Sequence, residues 1–279
     1  MIRIIAYTTF ALAAFAFNSI LCRMALRGGE ADAAGFTAVR LVSGAVSLIV
    51  ISYFFSKGKN KMKRGNWISA FFLFAYAICF SFAYIGLTAA SGALILFSAV
   101  QLTMIAVALF RGERPHRLEW LGLLIAVSGL VYLVFPGLSS PPFFASVLMA
   151  AAGVAWGFYT LRGKGSSDPL GDTTGNFIRS VPMIVIASIP FCSQINLSTR
   201  GFILAVLSGA IASGVGYTVW YAVLKHHTAT RAAVLQLTVP LIAAFGGVLL
   251  LSEVMTTRLL IASAMILGGI AMTIFDRRK

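Results

Sequence analysis

The sequence predicts an all-α integral membrane protein of ten transmembrane helices, built as two inverted five-helix repeats with both termini in the cytoplasm. Three observations predict it. The 279 residues are 59% hydrophobic and only 11% charged, with mean hydropathy +0.92. Soluble domains carry roughly 25% charged residues, so most of this surface meets lipid. Apolar runs of about 20 residues, the length that crosses a bilayer core, recur along the chain with short connections between them. Finally, the chain resembles itself at a shift of about 140 residues.

In order, the first run follows Arg3 and covers 4–26. It is too long for a signal-peptide core and lacks the small residue that lipoprotein cleavage needs before Cys22, so it stands as the first membrane helix. The second, 33–55, holds Arg40 several residues inside. The third, 67–85, places Tyr76, Phe80, Ser81 and Tyr84 at roughly helical spacing, on one face. The fourth, 91–110, carries Ser98 and Gln101, and the fifth covers 118–135. Beyond the turn-rich 136–142, the sixth, 143–161, holds Trp156 and Tyr159. The connection 163–171 leads to the seventh, 174–192, with Arg179, Pro182 and Pro190. The eighth, 200–223, combines Tyr217, Trp220 and Tyr221 with small residues at four-residue spacing: Ala205, Gly209 and Ser213, and Ala212 with Gly216. The ninth, 229–251, carries Gln236, Thr238 and Pro240; the tenth, 258–275, repeats the small spacing at Ala264 and Gly268. Such stripes let backbones approach, and their expected use is packing within a monomer.

Charge sets the orientation, because Lys and Arg near helix ends stay on the cytoplasmic side. With the N-terminus inside, the basic clusters at 57–64, 111–117 and 277–279 all fall inside, and only Arg23, Arg27, Arg200 and Arg258 fall outside. The net charge of +14 is thus a record of topology. It does not mark a nucleic-acid surface, which would need exposed aromatics among the basic residues. Cys22, Cys79 and Cys192 are isolated and read as small buried apolar residues.

In the self-comparison Thr88–Ala93 falls on Thr228–Ala233, Glu113 on Glu253 and Gly129 on Gly269. Neighbouring shifts match Arg40 with Arg179, Phe15 with Trp156, Arg23 with Lys164, and bring Tyr159 near the position of Asn18. The repeats are 1–137 and 138–279. Five crossings is an odd number, so the second copy enters the membrane from the opposite side. That is the design of a carrier whose halves exchange conformations about a central site.

At these residues the chain resembles the EamA-type drug/metabolite transporter superfamily, most closely its ten-span bacterial exporters of aromatic and other amino acids. Trp156-Gly157 followed by Lys164 matches the family's first-span signature, Arg40 and Arg179 its second-span arginine, and Gly112-Glu113 and Ser252-Glu253 its span ending. Phe15-Ala16 stands where the family often has Trp-Gly, and Val100 stands where the second repeat has Pro240. The resemblance implies export of small metabolites across the bacterial inner membrane.

Polar and aromatic residues at membrane depth are the candidates for function. Asn18, Tyr76, Phe80, Tyr84, Ser98, Gln101, Trp156, Tyr159, Tyr217 and Gln236 are expected to line a substrate cavity, rings packing an apolar side chain while amides bond a zwitterion. Tyr84, Trp220 and Tyr221 lie near span ends, where an interfacial belt is the commoner role of such rings. Arg40 and Arg179 would cost about 2.5–3.5 kcal/mol each at a span centre; their expected role is to hold a neighbouring loop or helix C-terminus rather than a substrate carboxylate. Glu113 and Glu253 are helix-end carboxylates expected to pair with a nearby base, placed by symmetry to act as gates. Pro182, Pro190 and Pro240 are candidate hinges.

Acidic residues are missing from mid-span positions, so a carboxylate proton relay is not expected, and a G-x-x-x-x-G-K-[ST] loop for ATP is missing too. The expectation is facilitated movement down the substrate's gradient, with proton exchange second. His116, His226 and His227 lack the partners of a membrane-embedded enzyme, so neither catalysis, metal nor cofactor is expected. Cationic drugs call for a mid-membrane acid and nucleotide sugars for a basic cavity. Amino acids are therefore the favoured substrate, and the bilayer is the other partner.

Overall fold

A chain with this little polar surface must satisfy its backbone internally, which in lipid leaves helices or a closed barrel. The structure, a computed structural model, describes residues 2–55, 65–110, 117–135, 137, 140–224, 226, 235–236 and 238–275. Among these residues every regular element is helical, joined by short turns, with one isolated backbone bridge between Ala31 and Leu197. The first half forms α1 (Ile2–Arg27), α2 (Ala33–Phe55), α3 (Trp67–Ala83), α4 (Ala89–Phe110) and α5 (Arg117–Val134). The second forms α6 (Phe143–Gly163), α7 (Pro169–Ser188), α8 (Thr199–Val206), α9 (Gly216–Leu224), α10 (Thr238–Leu251) and α11 (Thr257–Phe275). Among the described residues six helical stretches are long and apolar enough to cross a membrane, counting α8 through α9 as one, and four shorter apolar helices accompany them.

Two elements differ from the sequence expectation. The seventh helix starts at Pro169 rather than at 174, so the connection expected over 163–171 is partly helical. Its cause is local: Asp168 caps the helix, accepting from the Gly171 N–H at 3.2 Å, and Pro169 occupies the first turn, where a missing N–H costs nothing. Between α8 and α9 the backbone widens into a π-helix over Leu207–Val215. This stretch, LSGAIASGV, holds two glycines and two serines, which stabilise a regular α-helix less well than alanine, and such bulges recur at functional sites. Of the prolines, Pro182 lies within a continuous α7, Pro190 falls in the 3₁₀ turn Ile189–Gln194 that ends it, and Pro240 lies in α10.

The strongest helix contacts cross between the halves and come in symmetric sets. The second helices pair, α2 with α7; the fourth pair, α4 with α10; the fifth pair, α5 with α11. Likewise α3 packs on α6 as α1 packs on α8, the π segment and α9. Equivalent helices run antiparallel. Ser52 near the end of α2 bonds Thr174 near the start of α7 at 3.0 Å, whereas Asp32, just before α2, bonds Asn196 beyond α7. An inverted repeat requires this arrangement.

Small residues set the closest contacts. A Cβ on Gly209 would lie 2.1 Å from the Arg40 carbonyl oxygen, and one on Gly269 2.5 Å from that of Gly122. Ala205 and Ser213 are buried beside Gly209, and Gly216 faces Ala14. The Ala264 and Gly268 pair is a correction: both are exposed, and Gly268 meets nothing within 4 Å, because α11 turns Ala262, Ile266 and Gly269 toward the protein instead. Cys192 is another, being exposed in the 3₁₀ turn, while Cys22 is buried and Cys79 partly so.

Candidate functional site

The pseudo-two-fold relation brings Tyr76 of α3 and Tyr217 of α9 together, their hydroxyls 3.2 Å apart. The two residues occupy corresponding places in the two halves, so this contact lies at the symmetry axis. Around it stand Phe15 and Trp156, another matched pair, with ring centroids 5.7 Å apart; Trp156 is 4.5 Å from Tyr217 and 4.9 Å from Tyr76. Asn18 donates to the Tyr76 hydroxyl at 3.1 Å and accepts from Ser208 on the π segment. Phe15, Asn18, Tyr76, Leu96, Phe97, Trp156 and Tyr217 enclose a cavity of about 10 Å³, room for about one water. The rings are closed on each other.

Arg40 enters this cluster from α2, 1% exposed. It braces neither a loop nor a helix C-terminus. Nη2 donates to Tyr217 at 2.8 Å and to Tyr76 at 3.1 Å, Nε donates to Ser213 at 3.1 Å, and the guanidinium lies 5.1 Å from the Tyr76 ring centroid and 4.9 Å from that of Phe80. Nη1 has no partner among the described residues. Desolvating such a cation costs several kcal/mol. Three hydrogen bonds of about 1.5–3 kcal/mol each and two ring contacts offset that, but hydroxyls and rings do not cancel a formal charge. The buried centre is net positive with a spare donor. Its match Arg179 is only half-buried, bonding Gly175 on its own helix at 2.9 Å and lying 6.0 Å from the Trp67 ring.

All ten cavity candidates are buried. The structure joins Asn18, Tyr76, Phe80, Tyr84, Trp156, Tyr159 and Tyr217 in one chain of ring and hydroxyl contacts, with Phe80 to Tyr84 at 4.7 Å and Trp156 to Tyr159 at 5.5 Å. Ser98 donates to the Leu94 carbonyl on its own helix at 2.6 Å; Gln101 and Gln236 are buried, and neither belongs to the ring and hydroxyl chain. Tyr84, Trp220 and Tyr221 form no interfacial belt. Each is buried, because the third helices of both halves pack inside the bundle, and Trp220 stacks edge-on against Phe15 at 5.6 Å. Sequence reasoning passed over Leu96, Phe97 and Ser208 and read Ser213 only as a small packing residue; the run SGAIASG around the two serines was the available signal.

Toward the end of the bundle that carries Glu253, this carboxylate pairs with Arg23 at 3.2 Å and accepts from the Ala89 N–H at 2.8 Å. Arg23 also donates to the Tyr84 and Ile85 carbonyls at 2.9 and 3.1 Å. One ion pair thereby ties α1, α3 and α4 to the α10–α11 turn. Here Ser252 has φ +50°, a left-handed conformation that aims the next side chain inward. Arg27 donates to the Leu251 carbonyl, and Arg258 to those of Tyr132 and Phe135 at the end of α5, at 3.0 and 2.6 Å; each places positive charge where a helix dipole favours it. Glu113 lies outside the described residues.

Toward the opposite end, a second pocket of about 120 Å³ is lined by Asn66, Ser69, Tyr159, Arg162, Asp172, Asn176 and Tyr221 among others. Tyr159 separates it from the central cavity through its contact with Trp156. Among the described residues, no three His, Cys, Asp or Glu side chains converge as metal ligands.

Comparison with known proteins places these features. The model of the EamA-like transporter family matches twice, over residues 3–135 and 143–275. An uncharacterized protein of Pseudomonas aeruginosa is 45% identical over 275 residues, covering 99% of this chain and 96% of that one. An uncharacterized transporter of Archaeoglobus fulgidus is 29% identical over 181 residues, covering 62% and 63%. A solved crystal structure aligns over 98% of this chain and 97% of its own with TM-score 0.70 at 17% identity, a likeness of fold.

Proposed function

The chain belongs to the EamA-like transporter family, and from that premise we propose that it exports amino acids with aromatic or other apolar side chains, by alternating access around Arg40. The observation that carries the substrate class is the buried guanidinium with its spare Nη1. A carboxylate placed there would supply the missing partner and neutralise the centre. Phe15, Trp156, Tyr76 and Tyr217 would then pack the side chain, and Asn18 would bond the head group. A cationic drug would instead meet an unshielded like charge, which disfavours that reading.

The proposed setting is a bacterial inner membrane crossed ten times, the chain acting as a monomer of two repeats, 1–137 and 138–279. With both termini cytoplasmic, the Glu253 end faces outward and the Arg162 end inward. The closed 10 Å³ cavity then belongs to a state between loading and release: the rings must part to admit cargo, and the antiparallel repeats supply two alternative ways of parting. The movement proposed is facilitated, down the substrate's own gradient, since the carboxylate a proton relay needs is missing from the centre. Purified protein in liposomes loaded with L-phenylalanine should release it at a rate unchanged when a pH gradient is imposed. Release that requires the gradient would replace this with proton exchange, and absence of release would overturn the substrate reading.

A further inference from the structure

The 120 Å³ pocket has a wall chemistry that the central site lacks: both signs of charge. Arg162 is held by Ser69 at 3.1 Å and Asn66 at 3.2 Å, and Asp172 accepts from the Gly65 N–H at 3.3 Å and from the Ser166 hydroxyl. The two charges therefore flank adjacent residues, Gly65 and Asn66, and among the described residues each is held by neutral partners. A carboxylate oxygen keeps a second lone pair after one bond, and a guanidinium has five donors, so both retain capacity for a ligand. Between them Asn176 bonds the Asn66 N–H at 3.0 Å and lies 3.5 Å from the Tyr159 hydroxyl, while Tyr221 donates to the Tyr159 carbonyl at 3.2 Å. The floor is thus aromatic and leads directly to Trp156. Asn66 and Arg162 form an exposed rim.

We propose that this pocket is a loading site for the zwitterionic head group of a free α-amino acid, Arg162 taking the carboxylate and Asp172 the ammonium. It rests on the amino-acid reading above and deepens it. The central site recognises a carboxylate and an apolar body, whereas the loading pocket distinguishes an amino acid from the simple organic acid of the same shape. A space of this size takes a head group, not a whole aromatic amino acid, so the side chain points at the Tyr159 floor and passes it next.

Binding to purified protein separates the two sites. L-Phenylalanine and 3-phenylpropionate, which lacks the ammonium, are titrated against the wild type, Arg40→Gln, Asp172→Asn and the double variant. Asparagine keeps an acceptor for the Gly65 N–H, and Asp172→Glu, which keeps the charge, controls for folding. The expected result is that Arg40→Gln retains weak saturable L-phenylalanine binding, that adding Asp172→Asn weakens it at least tenfold, and that Asp172→Asn leaves 3-phenylpropionate unchanged. Equal L-phenylalanine affinity in Arg40→Gln with and without Asp172→Asn overturns the loading site. Displacement by glycerophosphoethanolamine as effectively as by L-phenylalanine also overturns it, in favour of a lipid head group. Absence of vesicle transport alongside Asp172-dependent binding defeats the export reading and leaves the pocket standing; transport with no Asp172 dependence of binding does the reverse.

Discussion

At the Glu253 end the repeats are joined by charge meeting charge or helix terminus. Arg23 pairs with Glu253, Arg200 with Glu30 at 3.7 Å, and Arg27 reaches the last carbonyl of α10. At the Arg162 end, among the described residues, charges of the second repeat meet neutral groups of the first: Arg162 on Asn66 and Ser69, Asp172 on a backbone N–H. The two ends occupy equivalent places in one inverted design, yet among the described residues one uses its charges on itself and the other holds Arg162 and Asp172 by neutral groups. Self-satisfied charge makes a lock. Charge held by neutral partners suits a receptor, and this contrast is what the proposed loading site at the Arg162 end rests on.

The largest test of the comparison lies where the ends meet. Removing one partner of a buried, hydrogen-bonded charge cluster costs about 2–5 kcal/mol, so Arg40→Gln should reduce L-phenylalanine exchange by about 100-fold or more, while Arg179→Gln, its half-buried match, should cost no more than about threefold. Equal losses would erase the distinction between centre and periphery. Next is the lock itself. Glu253→Gln removes a charge-assisted bond worth about 1.5–3 kcal/mol, and Cys22, buried beside Arg23, reports the result. In a background with Cys79 and Cys192 replaced by serine, maleimide labelling of Cys22 should accelerate about tenfold; an unchanged rate would mean that the Glu253 end is not held shut by this pair.

How much of this was legible in the sequence follows the same division. The helices, their inversion and most of the ring cluster were readable, because lipid forces apolar runs into helices and duplication leaves matched residues such as Phe15 with Trp156. The position of Arg40 at the centre was not. Its match, Arg179, also sits well inside its helix, so sequence alone treats the two alike; in the structure Ser213 of the π segment and Tyr217 of α9 meet Arg40, whereas Arg179 is half-buried and bonds Gly175 of its own helix. Tyr84, Trp220 and Tyr221 misled for a related reason. Nearness to a span end suggests an interface belt only for a helix that faces lipid, and which helices are interior is decided by packing between the repeats. The pocket proposed for loading was hidden because its residues come from the α2–α3 connection, α3, α6, α7 and α9, with no spacing in common.

Packing supplies the smallest effects and the finest contrast. Gly209→Ala puts a methyl group 2.1 Å from the Arg40 carbonyl, an overpacking of about 1–3 kcal/mol, and should lower the thermal midpoint by several degrees while disturbing exchange. Gly268→Ala, with nothing within 4 Å, should leave both within about 1 kcal/mol of the parent. A stability loss at Gly268 matching that at Gly209 would mean that the outward face of α11 is covered after all.

The central claim is that cargo is recognised by its carboxylate at Arg40. Counterflow in liposomes carrying the wild-type protein tests it most directly, with L-phenylalanine on one side and, in parallel, phenethylamine, which has the same ring and ammonium but no carboxylate. The account predicts that unlabelled L-phenylalanine drives uptake of the labelled amino acid and that phenethylamine neither drives it nor enters. Phenethylamine exchanged as fast as L-phenylalanine would contradict it.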